Sequence, residues 1–390
     1  MIQTLEFDGF RSFPARRQYD RTQPFQRLDL APLTLLVGRN GAGKTNVAAL
    51  LHQALGGLAG GGNGALPLSV GGLRVADCFR DLLHGRDLGM FLELAVSTEG
   101  ASGRHRLETI LYLPGPLDDD PRPRVRSVRW DRVEYPVSDA PLDRLPIPAV
   151  PERTAVREEA ARILSASVWL GAVRNGMSET SPRHRSVPPA PRIGPAGEGV
   201  LDLLAEAPEV FGDVSDWLAR HAGISLRWEK SFDRWRLQAT RGVARSVALA
   251  QMGTGPLHLL PVLALAKWRV RSPSPTPFID VVQQPELHLN DALHAVLGDL
   301  FIDIARTGTG ITLVETHAEG LLLRVRRRIA EGVISPDRVA LYFVDDAPGG
   351  SELCRIGIHA NGEVEDWPSG LFSDAFLEVK ALRCAQRRIR

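Results

Sequence analysis

Lysine is almost absent from this 390-residue chain: of 47 basic residues only Lys44, Lys230, Lys267 and Lys380 are lysine, and the rest are arginine. The bias runs through every segment, so it marks composition rather than one binding surface. It also makes a lysine inside a motif informative. Cysteine is scarce too. Cys78, Cys354 and Cys384 are widely scattered with no metal-ligand spacing, which argues against a disulfide framework and fits a reducing cytoplasm. Net charge is low at +1 and gives no global case for a polyanionic partner. Long apolar runs are missing. The longest, near "LHLLPVLALA", is about half of the ~20 residues that span a bilayer, and the opening "MIQTLEFDGF" has no apolar signal core. A cytoplasmic protein that is not itself a membrane transporter is expected.

What is present is ordinary globular material, 44% hydrophobic and 24% charged, without an internal repeat. "IQTLEF" and "LTLLV" read as strands with a short connection, and a helix follows at "TNVAALLHQALGGL". Three β-like runs, "MFLELAVS", "HRLETILYLP" and "VRSVRWDRVEYPV", predict a small antiparallel lobe. Proline is dense from Pro114 to Pro151 and from Pro182 to Pro195, which suits surface connections because proline lacks the donor a central strand needs. The segment "GVLDLLAEAPEVFGDVSDWLARHAG" reads as helical, and "ISLRWEKS" with "RWRLQATRG" as a hairpin. From there strands alternate with helices, "PFIDVVQQ", "ITLVET" and "VALYFVD" being the strands. That alternation predicts a parallel sheet covered on both faces.

The strongest motif is "GRNGAGKT", Gly38 to Thr45, which satisfies the P-loop pattern in full between a predicted strand and a predicted helix. Its glycines let successive backbone N–H groups curl around phosphate, and the helix N-terminus adds positive potential. Lys44 reaches the outer phosphates and the Thr45 hydroxyl ligates Mg2+. Downstream of a P-loop, an apolar strand tip carries two acids, one for the metal and one for water. Here those places hold Gln283 and Gln284. Asp280 lies three residues too early, inside the strand, and Glu286, beyond a proline, is the nearest surviving carboxylate. His317 ends the strand "ITLVET", where it could face a γ-phosphate or simply be solvated. "QMGTGP", Gln251 to Pro256, could form a second anion-binding turn or an ordinary glycine turn.

Taken jointly, these residues resemble the prokaryotic AAA ATPases of ABC type. That group includes the overcoming-lysogenization-defect nucleases and is more distantly related to RecF and SMC heads. The match is closest to its stand-alone branch with a C-terminal domain of unknown function. "GFRSF" resembles the opening strand motif, "LTLLVGRNGAGKTN" the Walker A segment and "FRDLLHGRD" the element after the first helix. "QMGTGPLHLLPVL" is similar to the signature, "QQPELHLND" to Walker B and the D-loop, "ETHAEGLLLRVRRRIAEG" to the switch-histidine segment, and "VALYFV" and "NGEVEDWP" to the C-terminal end.

The resemblance implies one α/β P-loop head, a mostly parallel central sheet flanked by helices plus the antiparallel lobe. Residues 1–150 would hold the P-loop and that lobe, 151–240 a connecting helical and β segment, and 241–390 the signature, Walker B and switch-histidine lobe. It implies ATP and Mg2+ as cofactors. Gly38, Arg39, Asn40, Gly41, Ala42, Gly43, Lys44, Thr45 and Asn46 would hold the nucleotide, with Thr45 and Gln283 toward the metal. Gln283, Gln284, Glu286 and His317 would form the catalytic set. Gly253, Thr254 and Gly255 would act in trans in a homodimer closed around ATP, with His288, Asn290 and Asp291 at its seam.

Departures from the family pattern are organised. It usually has Glu-Gln-Pro-Glu where this chain has Gln283-Gln284-Pro285-Glu286, Ser-Gln where it has Leu257-His258, and Ser where it has Ala318. Gln283 alone would fit a Glu-to-Gln exchange that traps ATP, whereas several softened positions together favour natural weakening. A slow ATPase and a rarely hydrolysing nucleotide-gated module both remain open. The family setting implies anti-phage defence or DNA metabolism with a separately encoded effector, such as a nuclease, since no nuclease constellation stands out here. The arginine runs "RVRRR" and "RCAQRRIR" suit nucleic acid and solvated helix faces alike.

Overall fold

A computed structural model describes residues 1–60, 64–100, 103–115, 120–177, 180–182, 191–230, 234–242, 246–271 and 276–365. The run at 383–390 lies outside them. The site rests on a six-stranded sheet ordered Trp169–Leu170, Ile279–Gln283, Ile311–Glu315, Leu33–Gly38, Val339–Ala347 and Gly350–Ile356. The first five strands are parallel and the last returns antiparallel. Parallel strands need helical crossovers, so both faces are covered and every residue of the three central strands is buried.

Strand periodicity sorts the side chains into two cores. Leu33, Leu35, Val37, Val282, Val314, Leu341 and Phe343 face one, and Leu36, Val281, Leu313, Tyr342 and Val344 face the other. The first core receives the helices Thr254–Arg271, Asp291–Thr307 and Glu319–Ala330. The second receives the helix Lys44–Ala59, buried at every position from Val47 to Leu58 because an antiparallel sheet closes over it.

That second sheet runs Gln26–Asp29, Ile2–Asp8, Leu92–Gly100, Gly103–Tyr112, Arg124–Trp130, Val133–Tyr135. The three predicted runs supply its last four strands, the third run breaking into Arg124–Trp130 and the edge strand Val133–Tyr135, and the opening strand joins them. The connection expected to be short therefore holds a further strand. The segment read as one helical stretch is two helices, Val200–Glu206 and Pro208–Ala222. Pro208 lacks a donor and takes the first position of the second helix, where none is needed.

Asp280 has a structural employment. It is fully buried and accepts from Arg269 Nε at 2.8 Å, Arg269 Nη2 at 2.7 Å and the Val168 N–H at 2.8 Å. Arg269, also buried, donates in addition to the Ala166 carbonyl at 2.7 Å. The pair ties helix Thr254–Arg271 to the sheet far from the strand tips. Removing one partner strands the other charge in the core, so Asp280→Ala should cost about 3–5 kcal/mol in urea unfolding. The double exchange Arg269→Met with Asp280→Leu should cost clearly less. Equal losses would contradict a desolvated pair.

Candidate functional site

Gly38 ends its strand at φ 146°, where a Cβ would lie 2.4 Å from the Val344 carbonyl oxygen, and Gly43 (φ 108°) would place one 2.7 Å from Ser12 Oγ. Only glycine lets the chain leave the sheet here and wrap into a cradle. Arg39, Asn40 and Gly41 are exposed on its rim, and Ala42 is buried beneath. Lys44 is buried, its ammonium donating to the Gly38 carbonyl at 3.0 Å and the Arg39 carbonyl at 2.6 Å. Burial pulls its pKa down, while Glu315 and Glu286 pull it up. Asn46 turns the other way. It accepts from Arg11 Nη1 at 2.9 Å and donates to Ser12 Oγ at 3.1 Å, so "GFRSF" braces the P-loop helix from behind.

The Thr45 hydroxyl points into the site and lies 3.0 and 2.9 Å from the two oxygens of Glu315. The Gln283 amide donates to the same carboxylate at 3.1 Å. Parallel register explains the meeting: Gln283 pairs with Glu315, and Glu315 with Leu36 of the P-loop strand. Burial pushes the Glu315 carboxyl up, against the Thr45 hydrogen bond, Lys44 and Gln283. Mg2+ takes oxygen ligands and is commonly held by one or two carboxylates plus phosphates. Thr45 and Glu315 form an all-oxygen pair beside the cradle, so the residues fit that ion. Among the described residues no cluster of three or more His, Cys, Asp or Glu could hold a metal alone.

Glu286 turns inward. Its Oε1 accepts the His317 N–H at 2.6 Å, and its buried Oε2 has no hydrogen-bond partner. The buried Nε2 of His317 is likewise unpartnered. Burial and then Lys44 lower the His317 pKa to about 4, with a hydrogen bond to the Gly38 backbone acting oppositely. This histidine is neutral at pH 7. Gln284 sits at φ 41°, a left-handed conformation costing a side-chain-bearing residue roughly 1–2 kcal/mol. Three bonds hold it there: its N–H donates to the Glu315 carbonyl at 2.7 Å, and its own carbonyl accepts from Arg174 at 2.9 Å and from the Leu287 N–H at 3.1 Å.

Arg174 is fully buried and donates only to carbonyls: His258 at 2.7 Å, Gly171 at 2.6 Å, Gln283 at 2.7 Å and Gln284. Burial lowers its pKa to about 10. It clamps the strand tip to the first turns of helix Thr254–Arg271. Gly253 (φ 100°) and Thr254 open that helix on the surface, and a Cβ on Gly255 would come 2.8 Å from the His288 carbonyl. The His258 and His288 rings meet edge to face at 4.8 Å. The turn at Gly253–Gly255 and the segment at His288 are thus neighbours. His288, Asn290 and Asp291 are exposed, and Asn290 also caps its helix by accepting the Ala292 N–H at 3.0 Å.

Two solved structures share this architecture. An SmcHead bound to the C-winged helix domain of ScpA is 15% identical, with a TM-score of 0.56 over 92% of this chain and 98% of that one. The Smc head domain with an extended coiled coil bound to the C-terminal domain of ScpA, derived from Pyrococcus furiosus, is 14% identical, with a TM-score of 0.53 over 98% and 99%. The chain has an SMC-head-like fold, that of the ABC-type ATPases. Residues 334–382 match a family described as a protein of unknown function, DUF3696. No curated protein matches the chain. Among the described residues no helix is long and apolar enough to cross a membrane.

The P-loop, Gln283, Gln284, Glu286 and His317 converge, while the residues expected as signature turn and seam lie apart from them, all exposed except half-buried Gly255. The expectation that Glu286 is the nearest acid fails at Thr45, where Glu315 is in direct contact. Glu315 was legible only as a strand residue, because its place beside Gln283 follows from sheet order. Arg174 had no signal, lying in an irregular segment. Since Lys44 is the ammonium in the cradle, Lys44→Ala should reduce ATP affinity beyond detection in calorimetry. Unchanged binding would contradict a phosphate role for this loop.

Proposed function

We propose that the head binds Mg-ATP at Lys44 and Thr45, closes on a second copy around two nucleotides, and so gates a separately encoded effector. One observation carries this reading: an intact P-loop whose Lys44 is buried against backbone carbonyls faces a strand tip bearing the amides Gln283 and Gln284. Binding needs only the cradle, the ammonium and the metal. Turnover also needs a proton acceptor near the attacking water, and an amide cannot serve at neutral pH. Glu286, with one unpartnered buried oxygen, is the remaining acid for that task, and neutral His317 would donate or accept at the γ-phosphate. Bound Mg2+ would supply charge neutralisation of the phosphates. ATP is thus held longer than it is cleaved.

Dimer closure is supported by exposed Gly253 and Thr254 at the start of an 18-residue helix, beside exposed His288, Asn290 and Asp291. A helix start with free backbone N–H groups suits the γ-phosphate held by the opposite copy. The effector and the setting, anti-phage defence or DNA metabolism, come from family resemblance. A non-hydrolysing scaffold is the second reading, favoured by the same two amides.

ATP should double the mass of the wild-type head in light scattering. Thr254→Arg, on an exposed position, should keep it monomeric with ATP still bound. Gly255 is a poorer probe because any side chain there meets the His288 carbonyl. A mass indifferent to ATP at saturation would contradict the sandwich. For turnover, Gln284→Glu should raise the hydrolysis rate at least tenfold, equivalent to about 1.4 kcal/mol of barrier. A flat rate alongside brisk wild-type activity would show that the amides do not limit the reaction.

A further inference from the structure

We propose that Glu315 is the metal-binding carboxylate of this head, placed on the strand adjacent to the one where the pattern calls for it. The inference rests on the reading of the P-loop as an Mg-ATP site. Ile311–Glu315 lies directly between the P-loop strand and Ile279–Gln283. Its last residue is in hydrogen-bond contact with Thr45, and the Gln283 amide in turn bonds to that residue. Both Glu315 oxygens are within hydrogen-bond distance of the Thr45 hydroxyl, at 3.0 and 2.9 Å. A hydroxyl and a carboxylate already in contact could take two adjacent coordination positions of one Mg2+.

The other acids and amides are accounted for differently. Asp280 is consumed by Arg269 in the core. Glu286 accepts the His317 N–H, and its second oxygen has no partner, which suits water rather than Thr45. Gln283 turns its amide N–H toward Glu315 at 3.1 Å. In that role it is a positioning residue: a neutral donor holds the carboxylate without competing for the cation. A glutamate at 283 would instead set two carboxylates side by side, each disfavouring the other's charge until a cation arrived. The Gln pair then marks a site whose metal carboxylate has moved one strand inward and whose water-activating acid has not been replaced in kind.

The test measures metal dependence of nucleotide affinity rather than turnover. A fluorescent ATP analogue is titrated into the full chain with Mg2+ and with EDTA, and Mn2+ bound with a non-hydrolysable ATP analogue is counted by electron paramagnetic resonance. Wild type should bind at least tenfold more tightly with metal. Glu315→Gln should bring that ratio to within about twofold while leaving the EDTA affinity in place, and should release Mn2+. Glu286→Gln should keep the wild-type ratio. If Glu315→Gln does not fold, as judged by thermal melting, Glu315→Asp keeps the charge and withdraws it by one methylene, and should cut the metal ratio at least threefold. A wild-type ratio in Glu315→Gln, or in Glu315→Asp where only that variant folds, overturns the assignment. Loss of all nucleotide binding by wild type, or equal binding by Lys44→Ala, would instead defeat the nucleotide site itself.

Discussion

The Glu315 carboxylate, buried and receiving hydrogen bonds from Thr45 and Gln283, joins the ends of two neighbouring strands to the first turn of the P-loop helix. A parallel sheet brings all its C-terminal strand ends to one edge, and chemistry collects there. Strand order decides which side chains meet. The P-loop strand has Ile311–Glu315 on one side and Val339–Ala347 on the other, and the Gln-tipped strand is one place further out. A carboxylate on the adjacent strand reaches Thr45 directly, and an amide on the outer strand reaches the carboxylate. The rest of the site hangs on that register: Lys44 answers the same negative charge, and Gln284 is bonded to the Glu315 backbone.

Arg174 extends the arrangement to the surface. A guanidinium with no carboxylate accepting from it is expensive to bury, and it is compensated here by four carbonyls drawn from three segments. Two belong to the strand tip and one to the helix that opens at Gly253 and Thr254. A shift of that helix against the tip would break the Arg174 bonds that span the two. The strained Gln284 backbone sits at the same junction, over-determined on both sides, as strain at working sites generally is.

Much of this was legible in the chain before its structure. The P-loop, its strand and helix, the antiparallel lobe and the strand–helix alternation follow from glycine placement and from periods of two and 3.6 residues. Those are local signals, and the sheet obeys them. The Pro208 break was legible in principle, since proline punctuates a helix, but the apolar pattern runs across it. Glu315 was not legible as a site residue. Motif reading looked for acids along one strand, whereas the acid stands across from Gln283 on the next. Asn290 shows a different limit, because a seam residue and a helix cap draw on the same residue type. The inward turn of Glu286 depends on His317, thirty-one positions away in sequence.

The most direct measurement is a crystal structure of the head with a non-hydrolysable ATP analogue and Mn2+, the ion located by its anomalous scattering. The account predicts phosphate at the Lys44 ammonium, released from the Gly38 and Arg39 carbonyls, with the ion ligated by Thr45 Oγ1 and the Glu315 carboxylate. An ion held by Gln283 with Glu315 turned away, or a nucleotide bound elsewhere, would contradict it.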